Sequence, residues 1–466
     1  MQTQKGLDLY PLTKAQKFHF YYQNFCPKKE VLNIGTSLTI EVDIDWEVLK
    51  ASIHKAIDRC DCLRVRFTKR DDEWYQYVTD KDEREIEFVD FSDRTMEEAE
   101  EVMNQWTRVP FERSESAMFR IVMIHMPDGY NGVYLLVDHM IMDAQSLICF
   151  LWDVIEIYSS TMYEGIDYPK EMSSYLEQIK KDLAYEAGSK AQKRDEEYFH
   201  KLIEESEPIY NGIYGPKILE EQREKFENPN LRAVINVSDS VDSALDIFHL
   251  EAEPTRHLMD FCEYYHVSLA CLLMLGLRTY FQKENGNDDV SINTAIARRA
   301  TLSEKKSGGT RIHSFPLRTI ISEDTRFIDA IYMIRDKQNE MFRHANYDPV
   351  AYFAYRNQVY PGNPQGSTYE PMSLTYQPMT LQDQNLDKLG GIRYKTKWYA
   401  NGATTQAMYL TVMHRPDDNG LDFSFEHQVK AVSRERLEYL YYYLCRIMFK
   451  GAENPNLTIG EIMKLI

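Results

Sequence analysis

A chain of 466 residues, 43% hydrophobic and 27% charged, has the composition of a globular protein with room for two lobes, not that of a disordered or fibrous one. Its 54 Lys and Arg against 73 Asp and Glu give a formal charge of −19, which argues against nonspecific attraction to nucleic acid or an anionic membrane. The seven cysteines are scattered and the N-terminal stretch carries no apolar signal core, so the expectation is a reduced, cytoplasmic protein; Cys60 and Cys62 form the only close pair, with no second pair to complete a zinc site.

Asp45 precedes Trp46, Leu49, Ile53, Ala56 and Ile57, an N-cap followed by apolar residues at helical spacing. Leu63 to Phe67 alternates as a half-buried strand does. Met118 to His125 and Val133 to Val137 read as two strands joined by the turn residues Pro127 to Gly132. Asp143 then opens a helix with Leu147, Ile148, Leu151, Val154, Ile155 and Tyr158 on one face. This order predicts an α/β lobe with a largely antiparallel or mixed sheet.

From Lys180 to Lys225 the chain is charged and poor in aliphatic residues, with a solvated helix expected over Lys190 to Lys201. This stretch is the expected crossover between lobes. A second α/β lobe follows: two helices over Pro254 to Tyr280, a strand over Asp289 to Ala297 and a long helix over Arg326 to His344. Tyr409 to Met413 and Leu421 to Phe425 form a hairpin around Asp417 to Gly420, and Arg434 to Phe449 is a last helix. The most apolar run, Leu269 to Leu277, is too short to span a bilayer and fits a buried helix. The expected division is an N-terminal lobe over 1–178 and a C-terminal lobe over 179–466, the latter sending a segment within Tyr369 to Ala403 back to the first.

Chemistry points to Val133-Tyr134-Leu135-Leu136-Val137-Asp138-His139. A buried strand delivers a histidine at its C-terminal end, where α/β sheets commonly place reactive groups. An imidazole titrating near neutrality can accept the proton of an amine or alcohol attacking an acyl group. Asp143, four residues on, can brace the loop by pairing with a distant arginine. By spacing alone, the simpler reading is a helix cap at Asp143 and a satisfied core histidine at His139, because HxxxD is a common pattern.

Seven segments in order narrow this. Pro11-Leu12-Thr13-Lys14-Ala15-Gln16-Lys17-Phe18, Arg59 to Phe67, Asp138 to Ala144, Asp195-Glu196-Glu197-Tyr198-Phe199, Gly309 to Arg318, His344 to Pro349 and Ser373 to Pro378 resemble the successive core motifs of the condensation domains of nonribosomal peptide synthetases. The resemblance implies two lobes, each like chloramphenicol acetyltransferase, arranged in a V with a tunnel between them. It implies an amide-forming acyltransferase whose donor and acceptor ride on the phosphopantetheine of carrier proteins, with no bound metal or redox cofactor. His139 matches the family's catalytic histidine. Asp143 matches its structural aspartate, which pairs with an arginine expected at Arg298, with Arg299 as the fallback. Carrier proteins and other synthetase modules are the implied partners, with no nucleic acid and no membrane.

The departures are specific. The motif's first histidine is Asp138, its glycine is Ala144, the family asparagine of the fifth motif is His313, and the asparagine of the last is Thr375. With Ser373, these four are candidate substrate-tunnel residues. Adjacent strand residues face opposite sides, so Asp138 is expected to point away from His139. Two functions follow: an active acyltransferase, or a non-catalytic docking module that keeps the fold.

Overall fold

The carboxylate of Asp45 accepts hydrogen bonds from the backbone amides of Glu47 and Val48, and so starts the helix Trp46–Arg59. Thr13 and Gln16 form a reciprocal capping box at the helix Lys14–Phe25. The computed structural model describes all residues except Met1, Gln4, Lys5, Asp417 and 379–392. The turn residue Asp417 thus lies outside the described residues. The chain divides into two compact units: the described residues of the first form a five-stranded and a three-stranded sheet, and those of the second a six-stranded one.

The first unit comprises Met1–Ser189, Ala297–Ile312 and the described part of Met379–Ala403. It thus runs past residue 178, because the helix Tyr175–Glu186 stays with it. Its five-stranded sheet has the order Tyr394–Tyr399, Asn33–Ile40, Asn131–Asp138, Phe119–His125, Glu87–Asp90. All neighbours are antiparallel except the last pair, which is parallel. The central strand is buried on both faces. Val133, Leu135 and Val137 pack into one core with Leu38, Ile53 and Leu147, while Tyr134 and Leu136 pack into another with Phe91, Met103 and Val122. A strand between two cores needs apolar residues at every position, which is why this segment reads as an unbroken run. The edge strand Tyr394–Tyr399 pairs with residues more than 350 positions earlier, Trp398 lying opposite Thr36.

The second unit comprises Lys190–Ile296, His313–Pro378 and Thr404–Ile466. Its six-stranded sheet runs His313–Ile320, Asp289–Ile296, Ser373–Gln377, Met408–His414, Leu421–Gln428, Ser243–Leu250. Ser373–Gln377 is parallel to both neighbours and the remaining pairs are antiparallel. Leu410, Val412, Phe423 and Phe425 share a core with the helices Leu269–Asn285 and Arg434–Glu453. Gly276 lets the two helices meet: a Cβ there lies 2.5 Å from Leu444. Among the described residues no single helix is long and apolar enough to cross a membrane.

The helix expected to be solvated, Lys190–Glu204, is instead anchored along one side. Asp195, Phe199 and Ile203, spaced four apart, are buried, and Phe199 stacks on Phe315 at 4.4 Å. Asp195 accepts from His344 Nδ1 at 2.9 Å, and Tyr198 stacks on the same imidazole at 4.1 Å. The acidic-aromatic segment and the His344 segment, two separate sequence motifs, are thus one contact.

Candidate active site

Strand Asn131–Asp138 ends at the loop that carries His139, and Asp143 caps the following helix, Ala144–Met162. The amide of His139 donates to the Leu32 carbonyl at 2.8 Å, and that of Ile141 to the Asp138 carbonyl at 3.0 Å, so the loop is pinned at both ends. Gln16, from the first sequence motif, reaches the carbonyl of Met140 at 3.5 Å and Gln76 Oε1 at 2.6 Å. Arg59, from the second motif, grips Asp153 on the following helix with Nε and Nη2 at 2.9 and 3.0 Å. The first motif thus touches the His139 loop and the second the helix that follows it, although they lie far apart in the chain.

Asp143 is fully buried and saturated. Its Oδ1 accepts from the Ser146 amide at 3.0 Å and the Ser146 hydroxyl at 2.8 Å, and its Oδ2 from the Arg311 amide at 3.1 Å. Arg299 Nη2 lies 2.9 Å from both oxygens. Burial pushes the carboxyl up, but the Arg299 charge and these hydrogen bonds overcome it and hold Asp143 below its usual value. Arg299 is in turn held by the carbonyls of Ser307 and Gly309. Gly309 has φ +97°, and a Cβ there falls 1.9 Å from the Tyr175 ring, so glycine is required on two counts.

The arginine that reaches Asp143 is thus Arg299, not Arg298. The strand ends at Ile296 and Arg298 takes a left-handed φ of +52°, so strand alternation no longer decides where these side chains point. Arg298 turns to Asp182 at 3.3 Å and to the Arg311 carbonyl at 2.7 Å.

Asp138 is buried and its Oδ1 accepts from the Met140 amide at 2.8 Å. Burial raises its carboxyl to about 6, opposed by the charge of Arg113 and by that amide. His139 is half-buried, and its Nδ1 has no hydrogen-bond partner among the described residues. Burial lowers its imidazole below the ordinary value, outweighing the backbone carbonyls of His139 and Met142 and the Asp143 charge, which pull the other way. The result is a neutral imidazole at neutral pH, the form that accepts a proton. His19, on the helix Lys14–Phe25, stacks on it with ring centroids 4.0 Å apart and planes inclined by 24°. Sequence reading missed His19. It sits one position beyond the first matched motif, and no local signal says which distant ring it meets.

The remaining candidates fall elsewhere. Ala144 is the half-buried first residue of its helix. His313 begins a strand of the second unit, where its Nδ1 lies 2.9 Å from the Ala345 carbonyl. Ser373 and Thr375 share one face of a second-unit strand, the first bonded to Gln406 and the second to the Tyr409 hydroxyl at 2.5 Å. His139, Asp138, Asp143 and Arg299 all belong to the first unit, and His313, Ser373 and Thr375 to the second. No group of three or more metal-ligating side chains occurs among the described residues.

Known proteins match this chain over nearly its whole length. The model of the condensation domain matches residues 7–465. Surfactin synthase subunit 1 of Bacillus subtilis (strain 168) is 23% identical over 468 residues, covering 98% of this chain and 12% of the relative. The chain therefore spans only a small part of that relative's length. Among solved structures, the first condensation domain of the calcium-dependent antibiotic synthetase, in complex with a substrate analogue, superposes with a TM-score of 0.78 at 17% identity, covering 97% of this chain and 99% of the other. The starter condensation domain of rhizomide synthetase, in complex with C8-CoA, gives 0.79 at 20% identity, covering 97% and 96%.

Proposed function

The chain belongs to the condensation-domain family, and from that premise we propose that it is an amide-forming acyltransferase with His139 as its proton acceptor. The donor is an acyl or aminoacyl thioester on the pantetheine arm of a carrier protein, and the acceptor is an amine. The amine nitrogen attacks the thioester carbonyl, the new C–N bond forms, the C–S bond breaks, and the thiol leaves. His139 takes the proton that the attacking nitrogen sheds and returns it to the departing sulfur. This chemistry needs an uncharged base in position and no electron transfer.

The observation that carries the reading is a neutral, half-buried imidazole at a strand end, followed four residues on by an aspartate whose oxygens are taken by Arg299, Ser146 and the Arg311 amide. Asp143 has no oxygen left for the chemistry, so it braces the loop and leaves the proton to His139.

The test uses the purified chain with acetyl-, octanoyl- and aminoacyl-pantetheine thioesters and amino-acid amides, the amide product being read by mass spectrometry. Loss of a general base typically costs ~10²–10⁴-fold. His139→Ala is expected to lose activity on that scale while its thermal transition stays near wild type. Equal turnover by wild type and variant overturns the assignment. A wild type that binds a loaded carrier protein but transfers from none of these thioesters favours the docking-module reading instead.

A further inference from the structure

We propose that His19 is a positioning residue of this centre: its ring, stacked on His139, fixes the plane of that imidazole and keeps water from it. The inference rests on the reading of His139 as the base and adds a second histidine to it.

Two observations carry it. The first is geometric. The helix bearing His19 is locked at its start by the Thr13–Gln16 capping box, and Gln16 ties it to the Met140 carbonyl of the His139 loop. His19 lies one turn beyond Gln16, so its ring is delivered to His139 by a braced element. The second is the state of the nitrogens. His19 Nε2 and His139 Nδ1 are both buried without a hydrogen-bond partner among the described residues. Buried polar atoms are normally satisfied, and an exception calls for a reason. Two histidines of the second unit do find partners: His344 bonds Asp195, and His427 bonds both the Val432 carbonyl and Asp246. Two unpaired nitrogens on two stacked rings mark a place that packing alone does not explain.

Parallel rings at this distance do not line up an N–H with a lone pair, so His19 does not relay the proton. Its effect is electrostatic and steric. Two adjacent imidazolium rings repel, so the pair holds one proton at most in the working range. Burial, and then the charge of His139, keep His19 far below its ordinary value, so His139 titrates first. The other charged groups that bear on the pair are Asp143 and the Arg299 bound to it. Neither comes from the helix of His19. What His19 contributes to the basicity of His139 is therefore a dry, flat neighbour.

The test compares His19→Phe and His19→Ala with wild type, using imidazole NMR titration of His139 and steady-state kinetics with the pantetheine thioesters above. Phenylalanine keeps a flat, dry ring, so the His139 midpoint and kcat are expected to stay near wild type. Alanine admits water, so the His139 midpoint is expected to rise towards ~6.5, the ordinary histidine value. Its kcat is expected to fall ~10–100-fold with KM little changed, the signature of lost alignment in the transition state. An unmoved His139 midpoint in His19→Ala, or a Phe variant as impaired as Ala, overturns the proposal. A fully active His139→Ala instead overturns the base assignment, and the NMR midpoint separates the two failures without any assay.

Discussion

The two ends of the loop from Asp138 to Asp143 are built to opposite specifications. At the helix end, every oxygen of Asp143 is taken, by Ser146, Arg299 and the Arg311 amide. At the strand end, among the described residues, Asp138 accepts from the Met140 amide, and His139 leaves a ring nitrogen unpaired beside the equally unpaired nitrogen of His19. The contrast shows how a fold can hold a reactive group still without using it up. Saturated polar groups carry the rigidity, and the unsaturated ones keep their capacity for a proton. The two carboxylates, five residues apart and both buried, show the same division in their acidity: one is held below the usual range, the other is raised to about 6.

The largest expected effect breaks the saturated end. Removing one partner of a buried ion pair leaves an uncompensated charge, at a typical cost of ~3–5 kcal/mol. Asp143→Ala and Arg299→Ala are each expected to destabilise the chain by about that amount in urea titrations, and the double variant by much less than the sum. Because the folded carboxyl lies below its unfolded value, its stabilising contribution is complete above ~3.9 and is lost as pH falls through the folded value. The Asp143→Ala difference should therefore shrink in acid. A difference that is small at neutral pH, or that does not depend on pH, contradicts the role given to this pair.

A smaller perturbation of the same end is Gly309→Ala. The added methyl meets the Tyr175 ring and imposes a side chain on a left-handed backbone, and overpacking of this kind typically costs ~1–3 kcal/mol. Gly309 offers its carbonyl to Arg299 and to the Ser146 hydroxyl, and a backbone shifted by the added methyl moves that carbonyl, so the substitution is expected to couple to the loss of Asp143. If a double-mutant cycle between Gly309→Ala and Asp143→Ala is additive, the glycine only fills space and does not belong to the brace.

Much of this is legible in the residues because short-range physics sets it. The unbroken apolar run before Asp138 reads as a buried strand, and Asp143 caps its helix as its position predicts. Asp138 accepts a hydrogen bond from a backbone amide, that of Met140, as a buried carboxylate at a strand end must from some donor. What the residues do not disclose depends on where distant segments meet. Arg298 and Arg299 are adjacent, and only the left-handed turn at the first selects the second for Asp143. The alternating stretch Tyr394–Tyr399 has strand character, but nothing local says that its partner is Asn33–Ile40. His19 reads as one more ring in an aromatic helix until that helix is docked. The helix Lys190–Glu204 misleads for another reason: charged residues outnumber the three buried positions that anchor it.

The smallest expected effect concerns Asp138, and it tests whether the strand end really divides between structure and chemistry. Asp138→Asn keeps the shape and keeps an oxygen for the Met140 amide, so activity is expected to stay within a few-fold of wild type. The carboxylate that bears on the His139 imidazole is Asp143, and the rise of Asp138 traces first to burial. The pH–rate profiles of wild type and Asp138→Asn should therefore coincide on the acid side. If Asp138 instead stabilised the imidazolium, its removal would lower the basicity of His139, and the variant would reach half its plateau at a lower pH. Stability supplies an independent check with a definite sign. A folded carboxyl raised to about 6 adds stability that is complete below the unfolded value of ~3.9 and is lost as pH rises through the folded value. The difference of about two pH units corresponds to roughly 3 kcal/mol. The asparagine variant has no such titration, so its stability relative to wild type should improve between pH ~4 and pH ~7. Parallel stability curves across that range, together with an acid-shifted rate profile, would place Asp138 beside the base and not beneath the loop.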